Sequence, residues 1–234
     1  MPTQHVNDIT LYYEAHGEGE PLVLIPGLSA DVSDYARIIA ELALHYRVIA
    51  LDNRGAGRSD KPDILYSIEM MADDAAALLD ALGFGASHIV GTSMGGRIAV
   101  DLALRHPEHV RSLILVSTAM RPVPQSAWRR LTLDVIPRIP LLRRSQKYPQ
   151  PYYAFVRQRT ASRSYDATAR LGEIRVPTLI LHGKNDHLAP LALAEEMHAG
   201  IAGSQMTVVP GGHIFFFLRP KQLAEAITAF LATA

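Results

Sequence analysis

Cysteine is absent from the 234 residues, which removes disulfides, thiolate nucleophiles and thiolate metal sites. Net charge is lacking too. The 23 Lys and Arg residues balance 23 Asp and Glu, so no global field points to nucleic acid or to an acidic membrane surface. No apolar stretch approaches the roughly 20 residues of a membrane span. The opening, MPTQHVNDITLYYE, has neither the basic start nor the apolar run of a signal peptide. No repeat of fixed period is visible. What is plentiful is apolar surface: hydrophobic residues make up 48% of the chain, enough for a sizeable core. The expectation is a soluble, cytoplasmic protein built as one large α/β domain or two small ones.

The pattern favours one α/β domain. TQHV and ITLYYEA read as a hairpin turning at Asn7-Asp8, and HGEGEP makes the next turn. Short apolar runs then follow at 21–26, 46–52, 87–91, 112–118, 177–183 and 205–210. Near-continuous Val, Ile and Leu suits strands covered on both faces of a parallel sheet. Helical patterns separate them. SDYARIIAELALH carries Ser33-Asp34 as N-cap material, and SIEMMADDAAALLDALG has early acids and Gly83 as a stop. GGRIAVDLALRHP ends before Pro107, while PLALAEEMHAG and PKQLAEAITAFLATA each begin with a first-turn proline. Strands alternating with helices predict a doubly wound, mostly parallel sheet with an N-terminal hairpin.

Residues 120–173 break that rhythm. They hold several prolines and little strand pattern, and their charge is eleven basic against three acidic residues. The reading is a core of residues 1–119 and 174–234 with a short helical lid inserted at 120–173. The lid would be drawn onto the acidic remainder, although exposed pairs add little stability each. Trp128, Tyr152, Tyr153 and Phe155 would pack it down or meet a ligand.

Gly91-Thr92-Ser93-Met94-Gly95 fits G-x-S-x-G between a strand pattern and a helix pattern, the setting of a nucleophile elbow. A serine on a sharp turn above a sheet edge needs tiny neighbours, and Gly91, Gly95 and Gly96 supply them. A phosphate loop fits less well, because G-x-x-x-x-G-K-[ST] is absent and GTSMGG lacks the placement of a dinucleotide fingerprint. A serine hydroxyl is a poor nucleophile without a base, so partners are expected in the order Ser, acid, His. PTLILHGKNDH delivers Asp186 after one late strand pattern, and QMTVVPGGHIFFF delivers His213 after the last. Among the other histidines, His182 ends a strand, His187 is a loop side chain and His198 sits on a helix surface. His5, His16, His45, His88, His106 and His109 read as surface or turn residues. An oxyanion hole would use the backbone N–H of Met94 and, from the loop LIPGLSADVSDY, that of Leu28, with Gly27 permitting the turn.

With those segments in order, the chain resembles the α/β-hydrolase superfamily across nearly its whole length. ALDNRGAGRSDKP, GTSMGGRIAVDLALRHPEHVRSLIL, PTLILHGKND and VPGGHIFFFLRP carry the resemblance. It is closest to the branch of 3-oxoadipate enol-lactone hydrolases and small carboxylesterases. The resemblance implies Ser93 as nucleophile, His213 as general base and acid, Asp186 as the acid orienting it, and no metal or organic cofactor. Asp52, Arg54 and Gly57 resemble the family's structural turn near the site. Three features depart from it: Pro26-Gly27 stands where many relatives have His-Gly, Leu218 stands where a glutamate is common, and the lid is short. A short lid implies an open site or one completed by a second subunit.

The implied function is hydrolysis of a small-molecule carboxylic ester or lactone through an acyl-enzyme, with no nucleic-acid or membrane partner. The same three residues also suit carbon–carbon bond hydrolysis and cofactor-free perhydrolysis. A hydrolase-fold ligand receptor with little turnover, or a structural protein with a vestigial triad, remains a different class of reading.

Overall fold

Apolar residues on both faces of the central strands determine the architecture. The computed structural model describes residues 2–123 and 147–233. Within them lie eight strands: β1 (Thr3–Val6), β2 (Ile9–His16), β3 (Pro21–Ile25), β4 (Arg47–Leu51), β5 (Ser87–Thr92), β6 (Val110–Val116), β7 (Thr178–Gly183) and β8 (Gln205–Val209). They form one sheet in the order β1-β2-β4-β3-β5-β6-β7-β8. The β1–β2 and β2–β4 pairs are antiparallel and all others parallel.

Val23 and Ile25 of β3, with Leu113 and Leu115 of β6, face one apolar layer. Leu22, Leu24, Ile114 and Val116 face the other. Helices α2 (Ile68–Ala81), α3 (Met94–Arg105) and α5 (Leu191–Gly200) cover the first face. Helices α1 (Ala36–Leu42), α6 (Phe215–Leu218) and α7 (Pro220–Leu231) cover the second. A strand with apolar neighbours on both sides needs apolar residues at every position, which explains the unbroken Val/Ile/Leu runs. β8 differs: it is the edge strand, and Val208 is exposed.

Register places the functional loops at one edge. Ile25 pairs with Gly91, Thr92 with Val116, and Gly183 with Val209, so the carboxyl ends of β3, β5, β6, β7 and β8 align. The chain passes from β3 outward to β4 and returns to β5 on the other side of β3. That reversal is a topological switch point, where the loops after β3 and β5 part and leave a crevice.

Local chemistry corrects several boundaries. Ser33-Asp34 do not cap α1. Asp31 caps a 3₁₀ turn over Val32–Tyr35 and Asp34 returns the bond to the Asp31 N–H, a reciprocal box, so α1 starts only at Ala36. Pro190 is the residue before α5, not inside its first turn, whereas Pro220 does open α7. Ser67 caps α2, and Gly83 follows it with φ +70°, as a helix stop requires.

Of the segment 120–173, the described parts are 120–123, 147–151, helix α4 (Tyr152–Ser164) and a 3₁₀ stretch over Thr168–Glu173. Trp128, Arg129, Arg130, Asp134, Arg138, Arg143 and Arg144 lie outside the described residues. Two basic residues of the segment meet acids of the body, Arg121 with Glu196 at 2.8 Å and Arg157 with Asp63 at 3.1 Å. Phe155 is buried and Tyr152 stacks beside it, while the exposed Tyr153 donates its hydroxyl to the Lys61 carbonyl.

Candidate active site

Ser93 sits between β5 and α3 with φ 52° and ψ −115°, a backbone conformation that a residue with a Cβ rarely adopts. Three bonds hold it there: its N–H donates to the Val116 carbonyl at 2.9 Å, and its carbonyl accepts the Thr118 hydroxyl at 2.6 Å and the Gly96 N–H at 3.0 Å. The glycines are required by proximity. A Cβ on Gly95 would collide with the Ile25 carbonyl oxygen and lie 2.6 Å from that of Pro26; one on Gly96 would lie 2.6 Å from Thr118. Helix α3 therefore starts at Met94, immediately after the serine.

The three candidate side chains meet, although 120 residues separate Ser93 from His213. His213 Nε2 lies 2.9 Å from Ser93 Oγ, and His213 Nδ1 lies 2.8 Å from Asp186 Oδ2. With the proton on Nδ1 donated to the carboxylate, Nε2 is the acceptor facing the serine hydroxyl. Asp186 is buried, and its other oxygen accepts the N–H groups of Leu188 and Ala189, each at 2.8 Å. Its loop and the imidazole thus fix both carboxyl oxygens.

His182, also buried, stands behind the acid. Its Nε2 donates to the Ala189 carbonyl at 2.7 Å and lies 3.5 Å from Asp186 Oδ2. Burial holds its pKa below the ordinary histidine value, outweighing the attraction of Asp186. Two histidines read as surface residues are instead buried. His88 lies inside β5 between the Ser112 hydroxyl and Glu20, and His109 meets Asp80. His187 is exposed, as expected.

The loop after β3 carries Leu28. Gly27 does not take a left-handed φ, so the turn is not its reason for being glycine. A Cβ there would come within 3.3 Å of both Ser93 Cβ and the Thr92 carbonyl. The loop is pinned without a histidine at position 26. Asn53 Nδ2 donates to the Pro26 carbonyl at 2.9 Å, and the Gly27 N–H donates to the Tyr35 hydroxyl at 3.2 Å. Burial pushes the Tyr35 pKa up to about 12, so that hydroxyl stays neutral, and it also bonds Thr92 Oγ1. Asn53, Tyr35 and His182 were missed in the sequence. Asn53 lies within a motif that was legible, but the partners of Tyr35 and His182 follow only from packing.

Among the described residues, no protein acceptor bonds the N–H of Leu28 or of Met94. A cleft of about 350 Å³ opens beside Leu28, lined also by Ser29, Ala30, Asp34, Arg37, Ile38 and Phe217. Asp52, Arg54 and Gly57 stand behind the site and do not reach it. Asp52 accepts the N–H groups of Val32 and Arg58, each at 2.7 Å. Leu218 is exposed at the end of α6. Among the described residues, no group of three His, Asp or Glu side chains could hold a metal ion, and no helix is long and apolar enough to cross a membrane.

The sequence profile of the alpha/beta hydrolase fold matches residues 20–151. The chain belongs to the α/β-hydrolase family. This α/β hydrolase is 31% identical over 262 residues to a RutD protein of Azorhizobium caulinodans whose name refers to carbamate hydrolysis, covering 98% of each chain. It is 31% identical over 251 residues to the 2-hydroxymuconate semialdehyde hydrolase of Pseudomonas sp. strain CF600, covering 93% of this chain and 89% of that one. Among solved structures, the enol-lactonase of Burkholderia xenovorans LB400 superposes with a TM-score of 0.86 at 27% identity, covering 99% of this chain and 100% of that one. The three names refer to a carbamate, a semialdehyde and an enol lactone.

Proposed function

We propose that the protein is a serine hydrolase that cleaves a small carboxylic ester or lactone through an acyl-enzyme on Ser93. One observation carries the reading: His213 lies between Ser93 Oγ and Asp186 Oδ2, at 2.9 Å and 2.8 Å. His213 Nε2 takes the serine proton as Oγ attacks the carbonyl carbon, and Asp186 stabilises the imidazolium and fixes its orientation. The carbonyl oxygen, now an anion, turns toward the N–H groups of Leu28 and Met94; losing one such donor typically costs roughly 10²–10³ in rate. His213 then gives its proton to the leaving alkoxide, and a water activated by the same nitrogen releases the acid. In a lactone the alkoxide remains tethered to the acyl chain, and the product is one hydroxy acid. The enol-lactonase likeness supports a lactone as one substrate form.

The test is turnover of a graded panel of aryl esters, alkyl esters and lactones by the wild type and by Ser93→Ala. Multiple turnovers that vanish in Ser93→Ala, with thermal unfolding nearly unchanged, are expected. A fluorophosphonate should label Ser93 in the wild type. Turnover that survives Ser93→Ala, or labelling at another serine, would overturn the assignment. A single slow burst that leaves a stable adduct would instead identify a ligand receptor.

A further inference from the structure

Gln158 lies on α4, a helix whose sequence reads as a basic surface, yet the residue is 0% exposed. An interior amide is costly unless both of its ends are bonded, and here both are. Nε2 donates to the Arg54 carbonyl at 2.7 Å. Oε1 accepts the N–H of Ser29 at 3.1 Å and that of Gln150 Nε2 at 3.0 Å. Gln150, also buried, gives its other amide proton to the Gly55 carbonyl at 2.7 Å. The two glutamines therefore join the segment before α4 and α4 itself to the turn after β4 and to the loop after β3.

The position of Ser29 gives this join its meaning. Ser29 has φ 65°, a left-handed conformation that a non-glycine residue keeps only when its surroundings hold it. Its N–H follows directly after that of Leu28. On the other side of Leu28, the Gly27 N–H is held by Tyr35. Among the described residues the Leu28 N–H thus stands unbonded between two pinned amides, one fixed from the core and the other from α4. Asn53 holds the Pro26 carbonyl at the near end of the loop, and the Ala30 N–H donates to the Gly27 carbonyl at 3.3 Å across the turn; Gln158 is the hold on the loop from α4.

We propose that Gln158 is a positioning residue for the oxyanion loop: by accepting the Ser29 N–H it aims the Leu28 N–H at the developing oxyanion. The proposal rests on the serine-hydrolase reading above. It gives α4 a part in the chemical step while keeping it away from the reacting atoms. It adds a third side-chain hold on the loop to those of Asn53 and Tyr35.

The experiment compares the wild type, Gln158→Met, Gln158→Glu and Ser93→Ala on the best aryl ester of the panel, with active sites counted by fluorophosphonate. Methionine keeps the shape but accepts nothing from Ser29. Gln158→Met should lose at least about tenfold in kcat with KM within about twofold, as expected when a group acts in the transition state only. Affinity for a trifluoromethyl ketone, whose adduct on Ser93 carries the same oxyanion, should fall by a matching factor. A purely structural role would lower the unfolding temperature without that matched fall. Gln158→Glu retains an acceptor for Ser29, but only its protonated carboxyl can donate to the Arg54 carbonyl, so its kcat relative to wild type should recover as the pH falls. An unchanged kcat in Gln158→Met, a loss confined to KM, or an unchanged ketone affinity would overturn the proposal. If Gln158→Met does not fold, Gln158→Glu decides alone: a kcat that recovers toward wild type as its carboxyl takes up a proton supports the role, and a loss beyond about tenfold at every pH rejects it. Inert Ser93→Ala alongside fully active Gln158→Met rejects only the role of Gln158. Turnover surviving in Ser93→Ala rejects the underlying reading, and the role with it.

Discussion

Asp186 uses one oxygen to shape its loop and the other to orient His213, so the two roles separate chemically. In Asp186→Asn the amide oxygen can still accept from Leu188 and Ala189, while the amide nitrogen faces a ring nitrogen that must donate. The loop should survive and the imidazole should adopt the wrong tautomer. We expect kcat on the best ester to fall about 10⁴-fold, the size seen when a serine triad loses its acid this way, with little change in thermal unfolding. Gly95 fails for the opposite reason. A methyl group there meets the Ile25 carbonyl and crowds Pro26, so Gly95→Ala should push α3 away from the loop after β3. Overpacking of this kind typically costs about 1–3 kcal/mol. Urea unfolding measures the loss, and ester turnover should fall along with it.

At the scale of elements, Arg54 joins three of them. Its guanidinium makes two bonds to Asp74 of α2, at 2.7 and 2.8 Å, and reaches Asp8 of the β1–β2 turn at 2.7 Å. Arg54 and Asp74 are both almost wholly buried, and these partners hold the Arg54 pKa above its ordinary value. Removing the cation strands a buried carboxylate. Arg54→Met should cost about 3–5 kcal/mol in urea unfolding, and adding Asp74→Leu should restore part of it, because the penalty lies in the unpaired charge. Full loss in the double variant would mean that the join itself, not the stranded charge, carries the stability.

The same scale explains what the sequence could reveal. Period, stops and glycine spacing are local, so the alternation of strands and helices, the stop at Gly83 and the turn at Ser93 were legible. The order of Asp186 and His213 after it was legible for a related reason: a parallel sheet sends every strand's carboxyl end to one edge. The start of α1 was misread because Asp31, two residues before Ser33, competes as a cap and wins through its bond with Asp34. Burial of His88 depends on Ser112 and Glu20, which are distant in sequence, and no pattern around His88 announces them. Gln158 is the extreme case, because 129 residues separate it from the Ser29 N–H it accepts.

At the scale of the whole molecule, the buried ionisable groups near the site set how stability follows pH. His182 is the clearest. Burial lowers its folded-state pKa from the ordinary 6.5, whereas the unfolded chain takes up a proton near that ordinary value. Between the two values the unfolded state binds more protons, so stability rises with pH through that window. The contribution is complete above about pH 6.5 and is lost as the pH falls toward the folded-state value. One proton corresponds to a slope of at most about 1.4 kcal/mol per pH unit. Buried Asp52 and Asp101, and Asp34 at the surface, have pKa values raised by desolvation and act in the other direction, starting from the carboxylate range near 3.8. A wild-type curve therefore mixes opposing trends, and a variant is needed to isolate the histidine. His182→Gln keeps a donor for the Ala189 carbonyl and does not titrate. Urea unfolding of both proteins from about pH 7.5 to about pH 5 should show wild-type stability falling more steeply than that of His182→Gln, with the gap opening below about pH 6.5. Parallel curves would mean that His182 takes up its proton equally well folded and unfolded, and that the loop around Asp186 admits the charge.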